Sequence, residues 1–445
     1  MSGSTRPSTI FALATPVGRG AVAVLRISGA GSADALGLLC SHPLPSPRRA
    51  VVRRLFAAEG EVVDEALVLW MPGPASFTGE DSAELHLHGS RAVIAGVSTR
   101  LIELGLRLAE PGEFTRRAFE NGRLDLTQAE AIADLVEAES GGQRRQALAQ
   151  LGGALSRRFE AWRDALLDAL ALLETEIDFP DDDVPDAIGA TARSGLQKVS
   201  TELQAALADL RGERVRGGFR VAIIGAPNVG KSSLLNALAA REAAIVTAVA
   251  GTTRDVVETP ISLGGQTVVL ADTAGLRPTD DPIEAEGVRR AVAWAASADL
   301  RIGVVDLTRP ETLGDVVGLM AADDLIVFNK ADVTCCSDVQ CPPHLRSVEA
   351  VALAGDVAAI RAGLEHWLRD HEEGREFPAV TRSRHRTLLE EALGHLARGQ
   401  EDLTAGAELA AENVRLAVRA FERITGRSDP EAVLDRVFTS FCIGK

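Results

Sequence analysis

Gly225-Ala226-Pro227-Asn228-Val229-Gly230-Lys231-Ser232 follows an apolar run, Phe219–Ile224, and precedes a helical pattern, Ser233–Ala240. Strand, G-x-x-x-x-G-K-S loop, then helix is the order that closes backbone N–H groups around phosphate oxygens. The helix N-terminus behind such a loop adds a favourable dipole for an anion. Lys231 would then reach the β- and γ-phosphates, and Ser232 would offer a hydroxyl to Mg²⁺. Two further motifs follow in order. Val268-Val269-Leu270-Ala271 runs into Asp272-Thr273-Ala274-Gly275, a strand ending in D-x-x-G. Asp272 can bind the metal through water, and the Gly275 N–H can meet the γ-phosphate. Leu325-Ile326-Val327-Phe328 runs into Asn329-Lys330-Ala331-Asp332, a strand ending in N-K-x-D. A carboxylate at Asp332 accepts two N–H groups from guanine and finds no such pair on adenine. Together the three motifs select GTP over ATP.

Gly251-Thr252-Thr253-Arg254-Asp255 lies between the first two motifs and reads as a switch, whose threonine completes Mg²⁺ coordination when a γ-phosphate is present. The residue after Gly275 is Leu276 rather than a water-orienting glutamine. Hydrolysis therefore needs another helper, a cation or one of Asp280, Asp281, Glu284 and Glu286. Where a Ser-Ala-Lys-like segment would close the guanine pocket, the chain has Val351-Ala352-Leu353-Ala354.

The elements that must position these groups read as follows. Residues 219 to about 370 alternate strand and helix patterns, the mark of a parallel-sheet α/β domain. Residues 9–115 read as mixed α+β, with short strands at Ala21–Ile27, Val51–Ala57, Glu65–Trp70 and Ser82–His88 and a helix at Ala92–Leu104. From Leu148 to Ile177 apolar residues recur every three or four positions, which predicts one long helix. Leu196–Leu210 reads as a second helix and Arg211–Gly218 as a linker. The chain is helical again after Pro378. Helices before and after the α/β segment are expected to pack together, with that segment inserted between them.

Composition sets outer limits. The chain has 445 residues, 46% of them hydrophobic and 25% charged, which suits a folded multidomain protein. A net charge of −16 opposes bulk attraction to nucleic acid, so RNA contact would need a local basic patch. Arg144-Arg145, Arg157-Arg158 and Arg382–Arg386 are such runs, or simply solvated faces. No apolar run reaches the length of about 18 that spans a membrane, and no secretory signal opens the chain, so a cytoplasmic protein without a membrane anchor is expected. Five scattered cysteines argue for a reducing compartment. Only four of 47 basic residues are lysines, Lys198, Lys231, Lys330 and Lys445. Three of these fall in motifs, where a compact point charge is not replaceable by a guanidinium fork.

Other residues point to a family. They are Ala14-Thr15-Pro16 with Gly18-Arg19-Gly20, Leu25-Arg26-Ile27-Ser28-Gly29, Ser76-Phe77-Thr78-Gly79-Glu80-Asp81 and Pro111-Gly112-Glu113-Phe114. Arg123-Leu124-Asp125-Leu126, Gln128-Ala129-Glu130-Ala131 and the tail Phe441-Cys442-Ile443-Gly444-Lys445 continue the pattern. Over nearly its whole length the chain resembles the MnmE (TrmE) family of bacterial tRNA-modification GTPases. The resemblance implies an α+β N-terminal folate-binding and dimerisation domain (1–118) and an all-α domain split in sequence (119–216 and 376–445, the latter with the tail). It implies an inserted α/β P-loop G domain (217–375). It implies potassium-stimulated GTP hydrolysis by a homodimer. It also implies work with the FAD-dependent MnmG (GidA) protein, in a heterotetramer or larger complex, on the wobble uridine of certain tRNAs. The one-carbon donor would be a tetrahydrofolate, in the 5-formyl or 5,10-methylene form.

Carried over by position, the resemblance makes the nucleotide set Asn228, Val229, Gly230, Lys231, Ser232, Ser233, Thr247, Thr252, Thr253, Asp272, Thr273, Ala274, Gly275, Asn329, Lys330 and Asp332. Ser232 and Thr253 would hold Mg²⁺. Asn228, Thr247, Val249 and Thr252 would hold K⁺. Glu284 would orient the attacking water, with Lys231 and Asn228 as the other catalytic residues. Arg26, Glu84, Arg123 and Lys445 would contact folate; Arg123 stands where the family usually has lysine. Cys442 is either a small buried hydrophobe or a catalytic thiol. An RNA-binding regulatory GTPase is the alternative class, but it calls for an RNA-binding module or a second G domain, and the sequence has neither.

Overall fold

The computed structural model describes residues 8–178, 187–242, 258–272, 293–334, 339, 341–372, 377–403, 406–428, 431–439, 441 and 444. The chain divides into two compact units, Met1–Ala133 with Val418–Lys445, and Asp134–Ala417.

The first unit is built on a six-stranded sheet of β1 (Ile10–Leu13), β2 (Val22–Ser28), β3 (Val51–Phe56), β4 (Val62–Met71), β5 (Ser82–His88) and β6 (Arg107–Leu108), in the order β3-β4-β5-β2-β1-β6. All neighbours are antiparallel except β1 with β6. Sequence reading missed β1 and β6, which are four and two residues long and carry little periodic signal. Side chains alternate across each strand. Leu25, Ile27, Leu85 and Leu87 therefore face one way and join a core with Leu36, Leu39, Val97 and Leu101 of the helices Ser32–Cys40 and Arg91–Glu103. Arg26, Glu84 and His86 face the other way. From the C-terminal segment, Phe438 and Phe441 pack with Leu126 and Ala129.

In the second unit the long apolar stripe does not form one helix. It breaks at Gly152-Gly153 into Gly141–Leu151 and Ala154–Asp178. The Gly152 N–H closes the first helix on the Leu148 carbonyl at 2.9 Å, and Gly153 follows at φ 82°, a left-handed conformation that ends the helix. Leu155, Phe159, Trp162, Leu166 and Leu173 still form one buried face. It packs against Ala187–Ala208, which in turn packs on Ser383–Asp402, so helices on either side of the α/β segment do come together. Arg211–Gly217 is a short helix rather than a linker. Asp209 Oδ1 accepts the Arg211 N–H at 3.0 Å and starts it.

The α/β part holds β7 (Phe219–Ile224), β8 (Glu258–Leu263), β9 (Gln266–Asp272), β10 (Leu300–Asp306), β11 (Leu325–Asn329) and β12 (Arg346–Ala350). Their order is β12-β11-β10-β7-β9-β8, parallel except for β8 against β9. Both faces of a parallel sheet are covered, and β7 shows it. Phe219, Val221 and Ile223 join one core, while Ala222 and Ile224 join another. Among the described residues no helix is long and apolar enough to cross a membrane.

Candidate functional site

The chain direction reverses its sideways progress at β7, with β9 on one side and β10 on the other. In open α/β sheets the crevice at such a point, beyond the strands' C-terminal ends, is where ligands bind. The strand ends there supply the motif residues: Gly225 after β7, and Asp272, Asp306 and Asn329 as the last residues of β9, β10 and β11.

The loop after β7 opens the helix Lys231–Glu242. Lys231 is buried, 7% exposed, and its Nζ donates to the carbonyls of Gly225 and Ala226, both at 3.0 Å. Burial pulls its pKa down from the usual lysine value, against the opposing pull of the Asp272 carboxylate. Gly230 has φ 105°, and a Cβ there would lie 2.2 Å from Asn329 Nδ2, so no larger residue fits without breaking the loop's tie to β11. That tie is the Asn329 amide. Its Nδ2 donates to the Val229 carbonyl at 2.7 Å, and its Oδ1 accepts the Ala352 N–H at 3.0 Å. One side chain thus joins the phosphate loop, the N-K-x-D strand and the turn Ala352–Ala354 after β12.

A cavity of about 450 Å³ is lined by Asn228, Lys231, Ser232, Lys330, Asp332 and Leu353 among others. It brings residues of the G-x-x-x-x-G-K-S loop and of the N-K-x-D motif together. Leu353 is 86% exposed at its rim, so the Val351-Ala352-Leu353-Ala354 segment does stand at the pocket, with backbone in place of the polar side chains of a Ser-Ala-Lys segment. Asn228 is exposed and held at φ 63°.

Magnesium fits the donors present. Ser232 Oγ donates to Asp272 Oδ2 at 2.6 Å. Asp272 Oδ1 is buried with no hydrogen-bond partner among the described residues. A hydroxyl beside a carboxylate with a lone pair to spare is a hard-oxygen set suited to Mg²⁺. Thr247, Val249, Thr252, Thr253, Thr273, Ala274, Gly275 and Glu284 lie outside the described residues. Of the four oxygens expected for K⁺, only that of Asn228 is therefore described.

Two groups at this site escaped the sequence reading. Asp306 is fully buried and accepts Lys330 Nζ at 2.6 Å, Thr308 Oγ1 at 2.6 Å and Arg309 Nε at 3.2 Å. Burial disfavours its charge, yet the bonds from Lys330, Thr308 and Arg309 outweigh that and hold its pKa at about 2. The signal available was a lone carboxylate ending the apolar run Ile302–Val305. Arg309 gave none, because its role depends on a bond to Pro227 across the fold.

In the first unit, register sets Arg26 opposite Glu84. Arg26 Nη2 donates to Glu84 Oε1 at 2.9 Å, and the guanidinium lies 5.4 Å from the Phe77 ring centre and 5.8 Å from that of Phe114. The Ser76–Asp81 turn that presents Phe77 is itself pinned. Ser28 Oγ donates to Glu80 Oε2 at 2.7 Å, Arg117 Nη1 reaches the same oxygen at 3.0 Å, and Asn121 Nδ2 donates to the Thr78 carbonyl at 2.7 Å. The Arg123 side chain lies against Gly79 of this turn, within 3.3 Å of where a Cβ would stand. His86 shares the face, its Nε2 3.6 Å from Glu84 Oε2, while His88 bonds Asp64 at 2.7 Å. Gly444 sits at the Leu13 carbonyl, one strand from Arg26. Lys445 and Cys442 lie outside the described residues. A cation, a carboxylate and two aromatic rings therefore meet at one place in this unit.

Most of the basic runs are engaged internally. Arg158 donates to the Phe377 carbonyl at 2.7 Å and stacks on Trp162, Arg382 pairs with Asp134 at 2.6 Å, and Arg386 pairs with Glu213. Arg144 and Arg145 stay exposed.

The chain is similar to known proteins along almost its whole length. The family description "GTP-binding protein TrmE N-terminus" matches residues 9–123, and "MnmE helical domain" matches residues 126–442. A curated relative from Caulobacter vibrioides, called tRNA modification GTPase MnmE, is 55% identical over 98% of this chain and 99% of its own length. Relatives of the same name from Phenylobacterium zucineum and Maricaulis maris are 55% and 53% identical, each over 98% of this chain. With more than half its residues shared along almost its full length, this chain belongs to the MnmE (TrmE) family of tRNA modification GTPases.

Proposed function

We propose that this chain hydrolyses GTP, stimulated by potassium, as a homodimer, and that the hydrolysis drives modification of the wobble uridine in certain tRNAs. An FAD-dependent MnmG-type partner and a tetrahydrofolate one-carbon donor take part, and the group added to C5 of the uridine is a carboxymethylaminomethyl or aminomethyl group. The observation that carries the reading is the single cavity that joins the Lys231–Ser232 phosphate loop to the Asn329–Asp332 base-selecting strand end.

In this reading Asp332 accepts two N–H groups of guanine, which fixes the base. Lys231 turns from the loop carbonyls to the phosphate oxygens, a short move that keeps its charge on the loop. Glu284 orients the water that attacks the γ-phosphorus; the bond to the bridging oxygen breaks and GDP leaves with that oxygen. Ser232 and Thr253, with Asp272 through water, would hold Mg²⁺, which would offset the charge developing on the phosphates. Asn228, Thr247, Val249 and Thr252 would hold K⁺, which would offset charge that develops on the phosphate oxygens. In the N-terminal unit Arg26, Glu84, Arg123 and Lys445 hold the folate. These assignments place the work in the cytoplasm, where GTP, folate and tRNA meet.

The test is steady-state GTP hydrolysis by the full-length chain in potassium and in sodium buffer, with Asn228→Ala alongside. A large potassium stimulation that the variant lacks supports the reading. Equal rates in the two buffers reject the potassium part and leave a GTPase that awaits a separate activator.

A further inference from the structure

Arg309 belongs to none of the nucleotide motifs, yet it bonds to two of the segments that build the pocket. Its Nε donates to Asp306 Oδ2 at 3.2 Å, and its Nη2 donates to the Pro227 carbonyl at 3.3 Å. The same Asp306 oxygen accepts Lys330 of the base-selecting motif at 2.6 Å. One buried carboxylate therefore anchors the base side through Lys330 and the phosphate side through Arg309.

The Pro227 carbonyl belongs to the peptide whose nitrogen is that of Asn228. Orienting that carbonyl orients the Asn228 backbone. Asn228 has φ 63°, a left-handed conformation that asparagine tolerates better than most residues with a side chain and that depends on how its flanking peptides are oriented. Pro227 has a ring-fixed φ of its own, so the peptide between the two is clamped on one side by the ring and on the other by the guanidinium. A planar guanidinium spans two acceptors at a set angle; an ammonium at the same place keeps the ion pair with Asp306 but not the reach to Pro227.

We propose that Arg309 is a positioning residue for GTP hydrolysis, holding Asn228 through the Pro227 carbonyl and touching no substrate atom itself. The proposal rests on the reading of Asn228 as a residue that acts in hydrolysis.

The experiment measures kcat, KM and the potassium concentration for half-maximal rate, together with affinity for a fluorescent GDP analogue. The proteins are the wild type, Arg309→Ala, Arg309→Lys, Asn228→Ala and the Asn228→Ala/Arg309→Ala double variant. Arg309→Ala is expected to lower kcat about tenfold or more, in line with the cost of small misplacements in an active site. GDP affinity stays within about threefold, since the loop N–H groups and base contacts remain. Arg309→Lys is expected to be as slow as Arg309→Ala, and it keeps the Asp306 ion pair should the alanine variant fold poorly. The double variant is expected to be no slower than Asn228→Ala alone. An Arg309→Lys protein at wild-type rate, or a double variant slowed by the product of the two single effects, overturns the proposal. An Asn228→Ala protein at wild-type rate rejects the Asn228 reading itself, and the role of Arg309 falls with it.

Discussion

Lys330 Nζ lies 2.6 Å from Oδ2 of Asp306, and the carboxylate it meets is wholly buried. Sequence separates the two residues by 24 positions, and they meet because β10 and β11 are parallel neighbours with Asp306 beside Asn329. The pair has a pH consequence. Despite its burial, the three donors of Asp306 hold its folded pKa at about 2, well below the ordinary aspartate value. A depressed carboxylate adds stability above its unfolded pKa and loses it as pH falls through the folded one. Removing the charge by Asp306→Asn is expected to cost about 2 kcal/mol at pH 7. The gap to wild type should close between about pH 4 and pH 2. Denaturant melts of both proteins across that range check it; a constant gap would mean the charge is not what the site uses.

Lys231 is enclosed by the loop it serves, with both its acceptors at 3.0 Å. Lys231→Ala removes the charge, and Lys231→Arg puts a broad fork where a point charge fits. Both are expected to lower kcat/KM for GTP by about a hundredfold or more. Steady-state hydrolysis measures this, and an arginine variant near wild-type activity would show that the charge alone suffices.

Asp332 sits exposed at the pocket wall, free to offer both carboxylate oxygens to a base. Asp332→Asn replaces one acceptor with a donor. That suits xanthine, which carries a carbonyl where guanine carries its amino group. Loss of one charged hydrogen bond, with the new amide N–H left facing a guanine N–H, is expected to weaken GTP binding by about a hundredfold. Competition between GTP and XTP for the variant reads the exchange; unchanged preference for GTP would move base selection elsewhere in the pocket.

Arg26 is held by Glu84 on one side and by two rings on the other. Arg26→Ala is expected to weaken 5-formyl-tetrahydrofolate binding about tenfold, the loss of one charged hydrogen bond. The KM for GTP should not change. Titration calorimetry with the folate, beside GTP kinetics, separates the two. Equal folate affinity in variant and wild type would remove Arg26 from the site.

Gly444 has φ 93°, and a Cβ on it would stand 2.3 Å from the Leu13 carbonyl. Gly444→Ala must therefore move the tail or the strand, at a cost of about 1–3 kcal/mol. A lower melting temperature together with weaker folate binding is the expected result. An alanine variant that melts and binds like wild type would mean that the tail does not need this seat.

Much of the nucleotide site was legible because each motif is contiguous. Gly225–Ser232, Asp272 and Asn329–Asp332 each end an apolar strand run, and a strand end in a parallel sheet has little choice about where it points. The broken helix at Gly152-Gly153 was not legible as such, since the apolar stripe keeps its period across the break while the backbone does not. The short strands β1 and β6 were missed because a few residues carry no usable alternation.

By itself, then, the sequence determined where the G-x-x-x-x-G-K-S loop lies, which strand ends carry the D-x-x-G and N-K-x-D motifs, and that an α/β segment interrupts a helical one. Those are local facts, set by residue type and spacing. Tertiary structure alone decided that Arg26 meets Glu84, 58 positions away, and that Arg309 reaches Pro227, 82 positions away. Such meetings follow from strand order and register. One face of each strand must be buried, and only the folded sheet decides which neighbour shares it.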